Sequence, residues 1–216
     1  MDWLSSLIYS GVIWKYLLGK LSKLKLPNKI KTINKQSFYD CSGLKGKLTI
    51  PDSCTSIDDF AFRSCKGITG VKFSKNIIYI GEEAFSKCTS LKGTLTIPDS
   101  CTYIGRVAFM QNKIKKVVIG KNVETLSYGA FSKCSQLKEF TCNSKKLKEI
   151  GEYVFYEDYA LKKISFKSSK INKIHKRAFK KMPKKLTIYV PKKKIKNYKA
   201  KFRSSGLSKK VTFKKI

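Results

Sequence analysis

The feature that most constrains this chain is a recurrence. Ala-Phe pairs stand at Ala61-Phe62, Ala84-Phe85, Ala108-Phe109, Ala130-Phe131 and Ala178-Phe179, with Ser37-Phe38 and Val154-Phe155 as variants. The seven phenylalanines Phe38, Phe62, Phe85, Phe109, Phe131, Phe155 and Phe179 are separated by 22 to 24 residues. Five residues before each stands an aliphatic side chain: Ile33, Ile57, Ile80, Ile104, Leu126, Ile150 and Ile174. An offset kept through seven copies is a structural repeat. A unit this short cannot bury its own apolar positions, but stacked units can share one continuous core. The seven phenylalanines are therefore expected to form a core column.

Each unit also carries an apolar-x-apolar pair: Leu24/Leu26, Leu48/Ile50, Val71/Phe73, Leu95/Ile97, Val117/Ile119, Phe140/Cys142, Ile164/Phe166 and Ile188/Val190. That alternation signals a short strand with one buried face. Proline follows at Pro27, Pro51, Pro98 and Pro191 and ends the strand. The expected fold is a mainly β repeat solenoid of about seven repeats over residues 21–191. One parallel sheet of about eight short strands is joined by irregular or short helical returns. Eight strands at about 4.8 Å make a sheet roughly 35 Å long.

The stretch LTIPDSCTSIDDFAFRSC (Leu48 to Cys65), echoed in LTIPDSCTYIGRVAF (Leu95 to Phe109), resembles the BspA-type leucine-rich repeat. The segment YVPKKKIKNYKAKFRSSGL (Tyr189 to Leu207) is similar to the closing segment that follows such repeats in surface proteins of gut and rumen Gram-positive bacteria. The resemblance implies a leucine-rich-repeat fold in a bacterial, less often protist, surface or secreted protein. It implies adhesion or protein contact as the use, with no catalytic residues to carry over. The chain departs from the family pattern in its charge, and in Cys54 and Cys101, where valine is usual.

Open ends of a solenoid need caps. Residues 192–216 read as a basic C-terminal cap: a helix with Ile195, Tyr198 and Phe202 on one face, stopped near Gly206, then a possible last strand at Val211/Phe213. Residues 1–20 read as an N-terminal cap or degenerate first repeat, with Ile13-Trp14 in the Ala-Phe slot and Tyr9 five residues before Trp14. The apolar run from Trp3 to Leu18 is interrupted by Lys15 and is short for a membrane span. It lacks a basic lead and a cleavage site, so it does not read as a signal peptide. An export signal upstream of Met1 is the alternative.

Charge is the second constraint. Lysine and arginine number 47 against 14 acidic residues, a formal net charge of +33. The arginines are Arg63, Arg106, Arg177 and Arg203, and no acidic residue follows Asp158. Lysine is a diffuse point charge, whereas bidentate phosphate and base recognition favours arginine. Sequence-specific nucleic-acid readout is therefore disfavoured. The seven cysteines fall in repeat slots that want a small buried group: Cys41, Cys65, Cys88 and Cys134 three residues after the repeat phenylalanine, Cys54 and Cys101 in the apolar step, Cys142 in a strand. Their odd number and spacing disfavour disulfide frameworks and metal sites. His175 is the only histidine and sits in the turn slot held elsewhere by Gly81, Gly105 and Gly151. The pairs Asp58/Asp59 and Glu82/Glu83 read as solvated surface. No cofactor fingerprint is present, and no catalytic or metal-ligating constellation is assigned.

Function is expected on the sheet face. Strand period two turns Lys25, Thr49, Lys72, Thr96, Val118, Thr141, Ser165 and Tyr189 outward. Lys23, Lys47, Lys116, Glu139, Lys163 and Lys167 share that parity. The expected role is a non-catalytic binding or adhesion module for a protein or cell-surface or matrix partner, acidic ones included. The alternative is an electrostatic binder of polyanions, whether nucleic acid, heparin-like glycan, teichoic acid or anionic lipid.

Overall fold

The computed structural model describes residues 23–216. The expectation for residues 1–20 lies outside them. In chain order the strands are β1 (Thr32–Ile33), β2 (Gly46–Thr49), β3 (Ser56–Ile57), β4 (Ile68–Lys72), β5 (Tyr79–Ile80), β6 (Lys92–Ile97), β7 (Tyr103–Ile104) and β8 (Lys113–Ile119). They continue with β9 (Thr125–Leu126), β10 (Glu139–Cys142), β11 (Glu149–Ile150), β12 (Lys163–Phe166), β13 (Lys173–Ile174) and β14 (Thr187–Val190). A 3-10 turn at Lys192–Lys194, helix α1 (Ile195–Ser204) and β15 (Thr212–Lys215) close the chain.

This is the expected repeat solenoid, with more sheet than one ladder. The longer strands form the expected parallel face, in the order β15-β14-β12-β10-β8-β6, with β2-β4 as a separate pair. A second parallel sheet of two-residue strands, β1-β3-β5-β7-β9-β11-β13, runs behind it. These short strands hold the aliphatic residue five before each phenylalanine, so the repeat's second apolar mark is itself a strand. The expected strand at Leu24/Leu26 is not formed, and β15 extends the sheet past β14 instead.

The returns are turns that repeat one hydrogen-bond pattern. From one Ala-Phe turn to the next, alternate amides donate to carbonyls of the following repeat: Phe60 to Glu82, Phe62 to Ala84 and Ser64 to Ser86, each at 2.8 Å. The pattern recurs from the Phe38 turn through the Phe131 turn. Aiming every second amide along the axis needs two left-handed residues per turn. They stand two before and two after the phenylalanine, as in Phe60 (φ 59) with Ser64 (φ 62) and Val107 (φ 44) with Gln111 (φ 60). Only Gly129 among them is glycine. Each other residue there costs on the order of 1–3 kcal/mol, which the axial hydrogen bonds offset.

The phenylalanines stack. Ring centroids of Phe38, Phe62, Phe85, Phe109 and Phe131 follow one another at 5.0, 5.2, 5.5 and 5.5 Å, with planes within 13°. Phe140 of β10 then stands edge-on to Phe131 (5.3 Å) and Phe155 (4.8 Å). At the far end α1 buries Tyr198 and Phe202, and Phe202 lies 4.8 Å from Phe179 and 5.9 Å from Phe213. The helix is a lid over the last repeat, as its apolar face implied. Glycine matters where repeats approach closely: a methyl on Gly105 would run into the Gly81 carbonyl carbon of the preceding repeat.

All seven cysteines are buried and free. Those after the phenylalanine have a shared task. The thiols of Cys65, Cys88 and Cys134 reach the carbonyls of Phe38 (2.9 Å), Phe62 (3.1 Å) and Phe109 (3.2 Å), one repeat back. In the same slot the Asn112 amide donates to Phe85 (3.1 Å) and Phe109 (2.9 Å). Asp158 also occupies this slot. It accepts from the Cys134 amide at 2.7 Å, while its second oxygen is buried without a partner. Burial pushes its carboxyl well above the usual range, with the Cys134 amide opposing. Burial also pushes the Cys88 and Cys142 thiols up to about 12.

Three outcomes follow from this packing. Phe109→Ala removes one ring from a closed stack and should cost about 3–5 kcal/mol in urea unfolding; a loss below about 1 kcal/mol would mean the column carries little of the stability. The native state holds the Asp158 proton more tightly than the unfolded chain. Its contribution is therefore full below the ordinary carboxylate pKa of about 4 and is lost as pH rises toward the raised native value. Asp158→Asn supplies a donor like that of Asn112, so it should flatten this pH dependence and stabilise by about 1–3 kcal/mol at neutral pH; denaturation curves between acid and alkaline pH measure it. The thiols should stay silent to a thiolate-specific reagent until the fold opens, then all react together. Rapid labelling of the native protein would place a thiolate at the surface.

Candidate binding surface

The sheet face is built by strand pairing. Two rows of side chains lie in register across the six-stranded ladder: Thr94, Lys116, Glu139, Lys163, Thr187 and Thr212, then Thr96, Val118, Thr141, Ser165, Tyr189 and Lys214. In the separate pair, Lys47 stands opposite Gly70 and Thr49 opposite Lys72. Lys47, Thr49, Lys72, Thr96, Lys116, Lys163 and Lys167 are exposed, and Val118, Thr141 and Tyr189 are half-buried. Two residues expected outward are placed differently. Ser165 is only 7% exposed, because its short side chain lies in a row beside Tyr189. Lys25 is exposed but belongs to no strand, since the ladder starts at β2.

The face is less cationic than its lysine content suggested. Glu139 pairs with Lys116 at 3.1 Å, and the Lys163 ammonium lies 5.0 Å from the centre of the Tyr189 ring. What remains is a neutral, short-chained stripe, Thr96-Val118-Thr141, bordered by lysines. The stripe is interrupted where β4 and β6 do not pair. Phe73 sits at that break, half-buried and edge-on to Phe85 at 5.7 Å. A groove of about 600 Å³ opens there, lined by Lys47, Gly70, Val71, Lys72, Phe73 and Thr96 among others. Apolar walls with convergent polar groups and unpaired strand edges suit a peptide segment.

A second concavity lies on the opposite side, at the Ala-Phe turns. Tyr128, Tyr153 and Tyr156 meet edge-to-face at 5.5 and 5.1 Å around Val107 and Met110, enclosing about 330 Å³. The Arg106 guanidinium lies 5.1 Å from the Tyr128 ring centre, and Arg177 donates to the Tyr153 hydroxyl at 3.0 Å. Sequence reasoning missed this cup because its three tyrosines occupy three different slots in two repeats. The only hint in the chain was the presence of extra aromatics, Tyr128, Tyr153 and Tyr156, beside the repeat phenylalanines.

Beside the short-strand sheet, His175 is half-buried against Glu149 at 2.6 Å, and Lys173 reaches the same oxygen at 3.0 Å. Burial works against the carboxylate, but these hydrogen bonds hold Glu149 below its ordinary range. The histidine that reads as a surface turn residue is thus hydrogen-bonded to a carboxylate of the preceding repeat, which also pairs with Lys173. Among the described residues, no group of three or more His, Cys, Asp or Glu is placed to hold a metal ion. Nor is any helix among them long and apolar enough to cross a membrane.

The repeat geometry has counterparts. A leucine-rich repeat protein of T. pallidum is similar at 26% identity with a TM-score of 0.53, over 63% of this chain and 76% of that one. The pneumococcal vaccine antigen PcpA shares the fold at 16% identity and a TM-score of 0.55, over 91% of this chain and 63% of its own. This chain thus spans under two thirds of the PcpA structure. No curated relative matches. The BspA type leucine-rich repeat region, in six copies, matches residues 14–138 and 92–209. The matched ranges take in the recurring Ala-Phe turns and the aliphatic step before each, and the chain belongs to the BspA-type leucine-rich repeat family.

Proposed function

We propose that this protein is a non-catalytic binding module at the cell surface or in secretion, engaging a protein or surface partner through the sheet face. The single observation that carries the reading is the break between β4 and β6. There the neutral stripe, two unpaired strand edges and the groove around Phe73 coincide on one face. Lys47 and Lys72 at its rim favour a partner segment with acidic residues. Family membership supports binding as the general role, and with it an extracellular setting.

Polyanion binding is a second reading, supported by a different observation. Ion pairs here cross from one repeat to a neighbouring one, as in Asp99 with Lys121 and Glu124 with Lys148. Beyond Asp158 no new acid is available, so the last third of the chain has lysines without counter-charge.

The test of the sheet face is a double substitution, Lys72→Glu with Lys116→Glu, assayed on immobilised matrix proteins and cell-wall fractions. Binding should fall by about 10-fold or more at physiological salt, because a rim attraction becomes a repulsion. Full retention would remove this face from the interaction.

A further inference from the structure

We propose that the corner following the longer strands, from Lys121 to Lys170, is a binding groove for a linear, base-free polyphosphate chain. This rests on the polyanion reading above and gives it a place and a chemistry. Lys121, Asn143, Lys145, Lys146 and Lys167 line an open concavity of about 440 Å³. The residues come from three successive repeats, at the points where β8, β10 and β12 end. In-register pairing of Ile119 with Cys142 and of Cys142 with Phe166 fixes that alignment.

The same corner is charge-compensated earlier in the solenoid. Asp52 meets Lys75 at 3.8 Å, and Asp99 meets Lys121 at 2.6 Å, each aspartate serving the lysine one repeat on. After Lys121 the aspartate slot holds no acid. Lys145, Lys146, Lys167 and Lys170 are exposed and make no ion pair among the described residues. The slot that compensated charge thus leaves two unpaired lysines in each of two successive repeats, Lys145 and Lys146 then Lys167 and Lys170, carried on from strands about 4.8 Å apart.

The lining selects the ligand. Base readout calls for bidentate arginine, and single-stranded nucleic acid calls for aromatic stacking platforms. The groove has neither, only lysines and one asparagine. A sulfated glycan carries its charges at uneven positions on bulky rings, whereas a phosphate chain carries one at every short unit and can meet each cation in turn. A single small anion would use only one repeat of the ladder.

The probe is long-chain inorganic polyphosphate with a fluorescent end label, followed by anisotropy against the full chain at several salt concentrations. Lys145→Glu/Lys146→Glu/Lys167→Glu is compared with a charge-matched control, Lys45→Glu/Lys66→Glu/Lys92→Glu, on exposed lysines of earlier repeats; circular dichroism verifies that both fold. The groove variant should lose at least about 10-fold in affinity and the control less than about 3-fold. The logarithmic salt slope, near −3 for about four lysines, should shrink only in the groove variant. Equal losses in the two variants would overturn the groove while leaving polyanion binding by net charge. No binding by the native chain would overturn both. Tighter binding of heparin than of polyphosphate at the same salt would overturn the phosphate-chain assignment.

Discussion

The structure depends on contact between equal parts of successive repeats. Each repeat phenylalanine from Phe38 to Phe109 lies flat on its successor at 5.0–5.5 Å. Its amide is bonded at 2.8–2.9 Å to the alanine carbonyl beside that next ring. Ring spacing and strand spacing are nearly the same length, so one translation satisfies the stacked rings and both parallel ladders. Left-handed φ at residues such as Phe60 and Val107 is tolerated because it aims amides along that translation. Buried thiols and the Asn112 amide then reach the phenylalanine carbonyls one repeat back.

A fold built by translation turns every sequence slot into a line on the surface. Binding properties then vary along lines rather than gathering in one cleft. The sheet face has a neutral line bordered by lysine, broken at β4 and β6. The turn side has an aromatic cup at Tyr128, Tyr153 and Tyr156. The corner changes from paired to unpaired lysine after Lys121. Exposed ion pairs between repeats add little stability each, but they decide which lines are left with free charge.

Much of this could be read from the chain. The phenylalanine column, the apolar-x-apolar strands, the lid formed by Tyr198 and Phe202 and the burial of the cysteines all follow from period and polarity. The second sheet did not announce itself, because a strand of two residues leaves no alternation to detect. Nor did the left-handed turn residues, since six of the seven positions before the phenylalanine are not glycine. Ser165 and Glu139 show the limit on the sheet face: parity sets the side a residue points to, while its neighbours in register set its exposure and charge.

By itself the sequence determined the period, the family, the core and the imbalance of charge, because each is a property of positions repeated in one dimension. Tertiary structure decided which lysines are neutralised and where the ladder opens. It also decided which tyrosines from separate repeats meet. Those outcomes depend on distances between residues about one repeat apart in the chain, and only stacking sets those distances.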